Sequence, residues 1–221
     1  MNNLNHFVTT YLYDIVLFAV ALIGIFRFKK QTLPFRILAI SAICSLGLVI
    51  LEDVFIIKFQ NNAPIYHIEA ISGYTFYALI YYCLFTNKLT KKLIIVSLIV
   101  VIPFAVYNAI YLQSFIKIFP TYVNLPTLGL LVIMSLLLFN QMLTAPSSVP
   151  LLKQSIFWFN TAILFYSTTK FLNIGLSNTY TRDPSLDDIV FYLWYFTDYI
   201  FAILQGIALF TSVKSYKTHA L

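Results

Sequence analysis

Eight carboxylates and one lysine bound the chemistry open to this chain. The acids are Asp14, Glu52, Asp53, Glu69, Asp183, Asp187, Asp188 and Asp198. Five of them, Asp14, Glu52, Asp53, Glu69 and Asp198, fall inside hydrophobic segments, and so does Lys170. A charge inside a membrane span is costly and by default marks an ion, proton or substrate site. Carboxylates placed there bind cations, relay protons or, in pairs, act as general acid and base. A lone ammonium there needs a carboxylate partner or must reach for the interface. Glu69 and Asp14 match Lys170 in depth, and Asp198 lies on the following segment, so all three are candidate partners. An ion pair that only fixes helix packing is an equal reading. One lysine and one histidine, His67, do not neutralise five carboxylates. The excess acids must be protonated, solvated or matched by a cationic ligand. The expectation is a water-filled pocket open to one side of a membrane, built from Asp14, Glu52, Asp53, His67, Glu69, Lys170 and Asp198.

Other chemistries lack their residues. The histidines are His6, His67 and His219, with His219 in the tail, so no three-histidine zinc site forms inside the spans. His67 and Glu69 are two apart and point in different directions on a helix, so they do not make one metal site. There is no G-x-S-x-G elbow and no glycine-rich phosphate loop. Retinal binding of the microbial rhodopsin kind needs a lysine in the last helix, where this chain has Asp198-Tyr-Ile-Phe-Ala202. No cofactor and no metal is expected. Cys44 and Cys83 read as small buried apolar residues.

These residues sit in a chain that water cannot solvate. Of 221 residues, 60% are hydrophobic and 10% are charged, with mean hydropathy +0.85. A soluble domain carries about 25% charged residues. The expected fold is all-α, a single bundle of seven transmembrane helices over 1–221 without a soluble domain. The spans run from about Val8 to Phe26, Ile37 to Ile57, Ile65 to Phe85, Leu93 to Leu112, Leu125 to Leu143, Ser155 to Leu176 and Ile189 to Val213. The fifth is the weakest, because Pro120 and Pro126 bracket its start. No basic signal-peptide region opens the chain, so the first span should be retained.

The net charge of +6 is a matter of topology rather than nucleic-acid binding. Ten Lys or Arg fall on one side: Arg27, Lys29, Lys30, Arg36, Lys88, Lys91, Lys92, Lys153, Lys214 and Lys217. Lys58, Lys117 and Arg182 fall on the other. This bias predicts an outer N-terminus and a cytoplasmic C-terminus. Asp14, Asp53 and Glu69 then lie roughly 6–9 Å below the outer ends of their spans, and Asp198 roughly 14 Å. Asp187 and Asp188, after Pro184, read as helix-start charges.

Helical spacing gives these residues faces. Asp198 aligns with Gln205 and Ser212, and Glu52 with Ser45 and Ser41. Asn160 aligns with Ser167, with Lys170 at the stripe's edge. Glu69 has Ser72 and Gly73 one turn on, with Cys83 further along and Phe76 and Tyr77 interrupting. Helices four and five are nearly all apolar and read as peripheral. Tyr11, Tyr13, Tyr81, Tyr82, Trp158, Tyr192, Trp194 and Tyr195 read as an interfacial belt, with a cation cage as the alternative.

The seven-span layout and the segment Phe157-Trp-Phe-Asn-Thr-Ala-Ile-Leu-Phe-Tyr166 resemble small seven-helix membrane proteins of Bacteroidota. Some of these are similar in layout to the sensing portions of histidine kinases, which implies a signalling association. The expected function is a receptor-like or sensory protein of a bacterial inner membrane. It would bind a small cationic ligand or protons from outside and act on a cytoplasmic or membrane signalling partner. The basic tail, Lys214 to Leu221, would dock that partner or touch anionic lipid. A small cation-coupled transporter, a carboxylate-based lipid-modifying enzyme and a structural subunit are the alternatives.

Overall fold

Long apolar runs bounded by short polar turns dictate an antiparallel helical bundle. The computed structural model describes residues 3–145, 147–177 and 184–212. Side chains are described from Leu12 onward, apart from those at 176–177 and 184–188. It is all-helical: α1 Asn3–Arg27, α2 Leu33–Phe59, α3 Ala63–Leu84, α4 Lys88–Tyr107, α5 Thr121–Thr144, α6 Ser155–Ser177 and α7 Pro184–Thr211. Four are long and apolar enough to cross a membrane by themselves: Leu33–Phe59, Lys88–Leu112, Thr121–Thr144 and Ile189–Thr211. Of the other three, α3 and α6 carry more polar residues, including Glu69 on α3 and Asn160, Lys170 and Asn173 on α6, and the side chains of α1 are described only from Leu12 onward.

The helix ends follow local rules. Pro34 and Pro64 occupy the first turns of α2 and α3, where a missing N–H costs nothing. Gln60 stops α2 in the left-handed region at φ 53°. Asn87 caps α4, its side chain accepting from Leu89 N at 2.8 Å. Pro126 sits inside α5, which runs unbroken from Thr121, so the bracketing prolines do not push this segment out of the bundle. Instead it is α4 that changes character: beyond Pro103 it ends in a π-helical turn, Asn108–Leu112.

Neighbouring helices pack in the order α1, α2, α3, α5, α6, α7 and back to α1, forming a ring, with α4 outside it against α3 and α5. The expectation of two peripheral helices therefore holds for α4 and fails for α5. Val123, Leu128, Leu131, Met134 and Leu138 of α5 are buried, with Thr127 and Ser135 among them. Hydrophobic periodicity alone cannot tell a lipid-facing face from one covered by other apolar helices.

The ring has two unlike ends. One carries the turns 28–32, 85–87 and 145–154 and is rich in Arg and Lys; this is the basic end. The other carries the turn 60–62 and the connection 113–120, together with the acids; it is the acidic end. Packing is tightest toward the basic end. A Cβ on Gly24 would lie 3.0 Å from Ala39 Cβ, and one on Gly206 would lie 3.2 Å from Val20 Cγ2, so α1 lies against both neighbours. Every buried residue of α2 lies between Phe35 and Ala42, and none beyond. The core follows the same gradient, with Leu38, Ile80, Tyr81, Phe159, Ile163 and Leu209 almost wholly inaccessible. Toward the acidic end the ring opens.

Candidate functional site

The opening is a cavity of about 830 Å³, lined by every helix of the ring and by no residue of α4. It runs along α2 from Ser41 to Ile57, roughly 24 Å at 1.5 Å per residue. Its volume falls in the range of small-molecule sites, about 300–1,000 Å³. Of the seven residues expected to form a charged layer, Asp14, Glu52, Asp53, Glu69, Lys170 and Asp198 line it. His67 does not. It is buried between α3 and the 113–120 connection, its ring beside Phe115 and Nε2 3.0 Å from the Ile118 carbonyl. A carbonyl only accepts, so Nε2 carries the proton and His67 serves as a clasp for that connection. Asn61 adds a second clasp by donating to the Ile116 carbonyl.

Lys170 selects one partner among the three candidates. Its Nζ donates to Asp198 Oδ2 at 2.8 Å, the one ion pair among the described residues. The ammonium also lies 3.4 Å from the centre of the Trp194 ring and 5.6 Å from that of Tyr166. Trp194 and Asp198 are four apart on α7, so one helical face presents both to the ammonium. Lys170 is 3% exposed and its charge is matched. Of the three candidate partners, Asp198 alone forms an ion pair with it.

Those acids have other surroundings. Glu52 Oε1 accepts from Tyr66 Oη at 2.6 Å and from Asn62 Nδ2 at 2.7 Å, which ties α2 to the start of α3. Asp14 Oδ1 is shielded and has no hydrogen-bond partner. Glu69 is exposed into the cavity. Asp53 lines the same space from the turns of α2 near the acidic end. With Lys170 matched by Asp198, the remaining four carboxylates meet no second cationic side chain in the lining.

Aromatic rings join the two charged groups. Phe119, on the 113–120 connection, lies edge-on to Tyr66 at 5.1 Å and to Trp194 at 6.0 Å. A continuous path thus runs from Glu52 through Tyr66, Phe119, Trp194 and Lys170 to Asp198. Deeper in, Tyr166 stacks on Phe201 at 4.2 Å, and Gln205 Nε2 donates to Tyr77 Oη at 3.2 Å. The polar stripes of α2 and α7 do face this space: Ser41, Ser45 and Glu52 line it, as do Asp198 and Gln205.

Several sequence expectations are corrected here. Tyr13, Trp194 and Tyr195 line the cavity, and Tyr81 is wholly buried; none of these four needs a belt to explain it. Cys44 is exposed and lines the cavity, whereas Cys83 does not continue the Glu69 stripe into it. Asn160 serves packing: it donates to the Ser135 carbonyl at 3.0 Å and accepts from Tyr81 Oη at 2.8 Å. The side chains of His6, Asp187 and Asp188, and the whole of Arg182, Asp183, Lys214, Lys217 and His219, lie outside the described residues.

The sequence carries no signal that joins Phe119 and Tyr66 to this site. No spacing rule links a loop phenylalanine to a tyrosine 53 positions away. For Trp194 a signal existed in its four-residue offset from Asp198.

No protein-family model, curated protein or solved structure matches the chain.

Proposed function

We propose that this chain is a receptor-like membrane protein that spans a bacterial inner membrane seven times. Its acidic end faces outward and its C-terminus is cytoplasmic. A small ligand enters the cavity from outside, and the protein responds by small shifts of its helices.

One observation carries this reading: the cavity reaches from the acidic end past the middle of α2, and the basic end beneath it is packed shut. The residues that line its floor, Ser41, Tyr77 and Gln205, sit above the buried Tyr81, Ser135 and Asn160 group. The spans beneath the cavity hold no carboxylate to pass a cation inward, which suits a binding protein better than a carrier. The arrangement of Lys and Arg supports the same orientation.

A route for response is available in α7. Its outer part presents Trp194, Asp198 and Gln205 to the cavity. At its inner end, Gln31 Nε2 donates to the Leu209 carbonyl at 3.4 Å, and Arg27 donates to the Phe210 carbonyl. Movement of α7 on ligand binding would pull on the basic turn between α1 and α2. A signalling partner would read that turn, where Lys29 and Lys30 are exposed.

Cys44 provides the test. In a Cys83→Ser background, a cationic methanethiosulfonate should label Cys44 from the outer face of oriented proteoliposomes, and faster than an anionic one. Labelling only from the inner face would overturn the reading. Uptake of small cations by the same vesicles would replace the receptor with a transporter.

A further inference from the structure

We propose that the cavity is built for an amphiphile with a cationic head, an amine or quaternary ammonium bearing an apolar chain. This rests on the receptor reading and adds the ligand's chemical class.

Shape comes first. The cavity is long, with carboxylates toward its mouth, apolar walls below them and a floor of Ser41, Tyr77 and Gln205. Asp53 and Glu69 lie nearer the acidic end, while Leu17, Leu48, Leu131 and Phe201 lie deeper. A compact cation would leave the deep part filled by water against apolar walls. An apolar chain removes that water from those walls.

Charge comes second. The single lysine in the lining is already held by Asp198 and covered by Trp194, so it offers no free positive charge to an anionic head. Glu69 stands open to the cavity and Asp53 also lines it, with no cationic side chain in the lining paired to either. A cationic head answers that charge. The tyrosine and phenylalanine rings around them suit a quaternary ammonium equally well.

Access comes third. Ile56 and Ile57 belong to the lining yet are 45% and 79% exposed, and no residue of α2 beyond Ala42 is buried. Half of α2 is thus a thin wall with apolar side chains on its outer surface. A molecule resident in the bilayer meets that wall directly, whereas a water-soluble amine meets the carboxylates at the mouth.

Three probes separate these features: dodecyltrimethylammonium, tetramethylammonium and dodecyl phosphate. Each is titrated onto the full chain in nanodiscs of zwitterionic lipid, following Trp194 fluorescence in a Trp158→Phe background. The Cys44 labelling rate is read in parallel. The proposal expects a saturable change and protection of Cys44 with dodecyltrimethylammonium alone, weakened about tenfold, or 1.4 kcal/mol, by Glu69→Gln. Asp53→Asn should act in the same direction, which keeps the test usable if one variant folds poorly. Equal binding of dodecyl phosphate, or affinity unchanged in both variants, would overturn the cationic head. Equal binding of tetramethylammonium would overturn the apolar chain while leaving the acidic pocket standing. Silence from all three probes, with Cys44 inaccessible from outside, would overturn the receptor reading as well. Source is read from delivery. Faster binding when the amphiphile is preloaded in the bilayer marks lateral entry past α2, and faster binding from solution overturns that route.

Discussion

Lys170 Nζ and Asp198 Oδ2 lie 2.8 Å apart across the α6–α7 contact, with the lysine 4% and the aspartate 18% exposed at the side chain. The pair spends the one lysine of the cavity on its own wall. It thereby sets the sign of the space that remains.

Breaking this pair from either side should be costly, because one charge is left without its partner. Asp198→Asn and Lys170→Met are each expected to destabilise by about 3–5 kcal/mol. The double variant should recover much of that loss. Thermal unfolding of the four proteins in one detergent, treated as a double-mutant cycle, measures the coupling; additive losses would mean that the pair contributes nothing beyond its separate side chains.

The Tyr81 hydroxyl lies 2.5 Å from Ser135 Oγ and 2.8 Å from Asn160 Oδ1 in a fully buried site. Tyr81→Phe removes a partner from both and should cost about 1–3 kcal/mol. Because this group lies beneath the cavity, the variant should lower the unfolding temperature while leaving the outside labelling rate of Cys44 unchanged.

Gly24 faces Ala39 so closely that a Cβ would lie 3.0 Å from Ala39 Cβ and 3.2 Å from its Cα. Gly24→Ala forces α1 and α2 apart and should destabilise by about 1–3 kcal/mol. A methyl on Gly47 would meet nothing within 4 Å, so Gly47→Ala should stabilise α2 by about 0.5–1 kcal/mol. Opposite shifts in unfolding temperature are the expected result.

Phe119 bridges Tyr66 and Trp194 across the cavity. Each aromatic pair contributes about 0.5–1.5 kcal/mol. Phe119→Ala should loosen the 113–120 connection and raise the Cys44 labelling rate about tenfold from outside. Phe119→Leu should give a smaller increase, since it keeps bulk and loses only the ring geometry.

What could be read from the sequence follows from solvent and period. Membrane class needs only composition, because a chain with 10% charged residues has too few to cover a surface with water. The helices follow from apolar runs and from prolines at first turns. The faces of α2 and α7 follow from seven-residue spacing, which is why Ser45 with Glu52 and Gln205 with Asp198 share the cavity. Relationships between segments are another matter. Depth along the spans matches Lys170 with Glu69 and Asp14 and places Asp198 deeper, so depth does not single out Asp198. The choice of Asp198 comes from the ring order, which sets α6 against α7 and turns the Trp194 face toward the ammonium. Burial of α5, seclusion of His67 and exposure of Cys44 have the same origin. Sequence by itself determined that costly charges would lie in apolar helices. Tertiary structure alone decided which were neutralised and which were left facing a cavity, because that depends on helix rotation and neighbour order, which hydropathy does not encode.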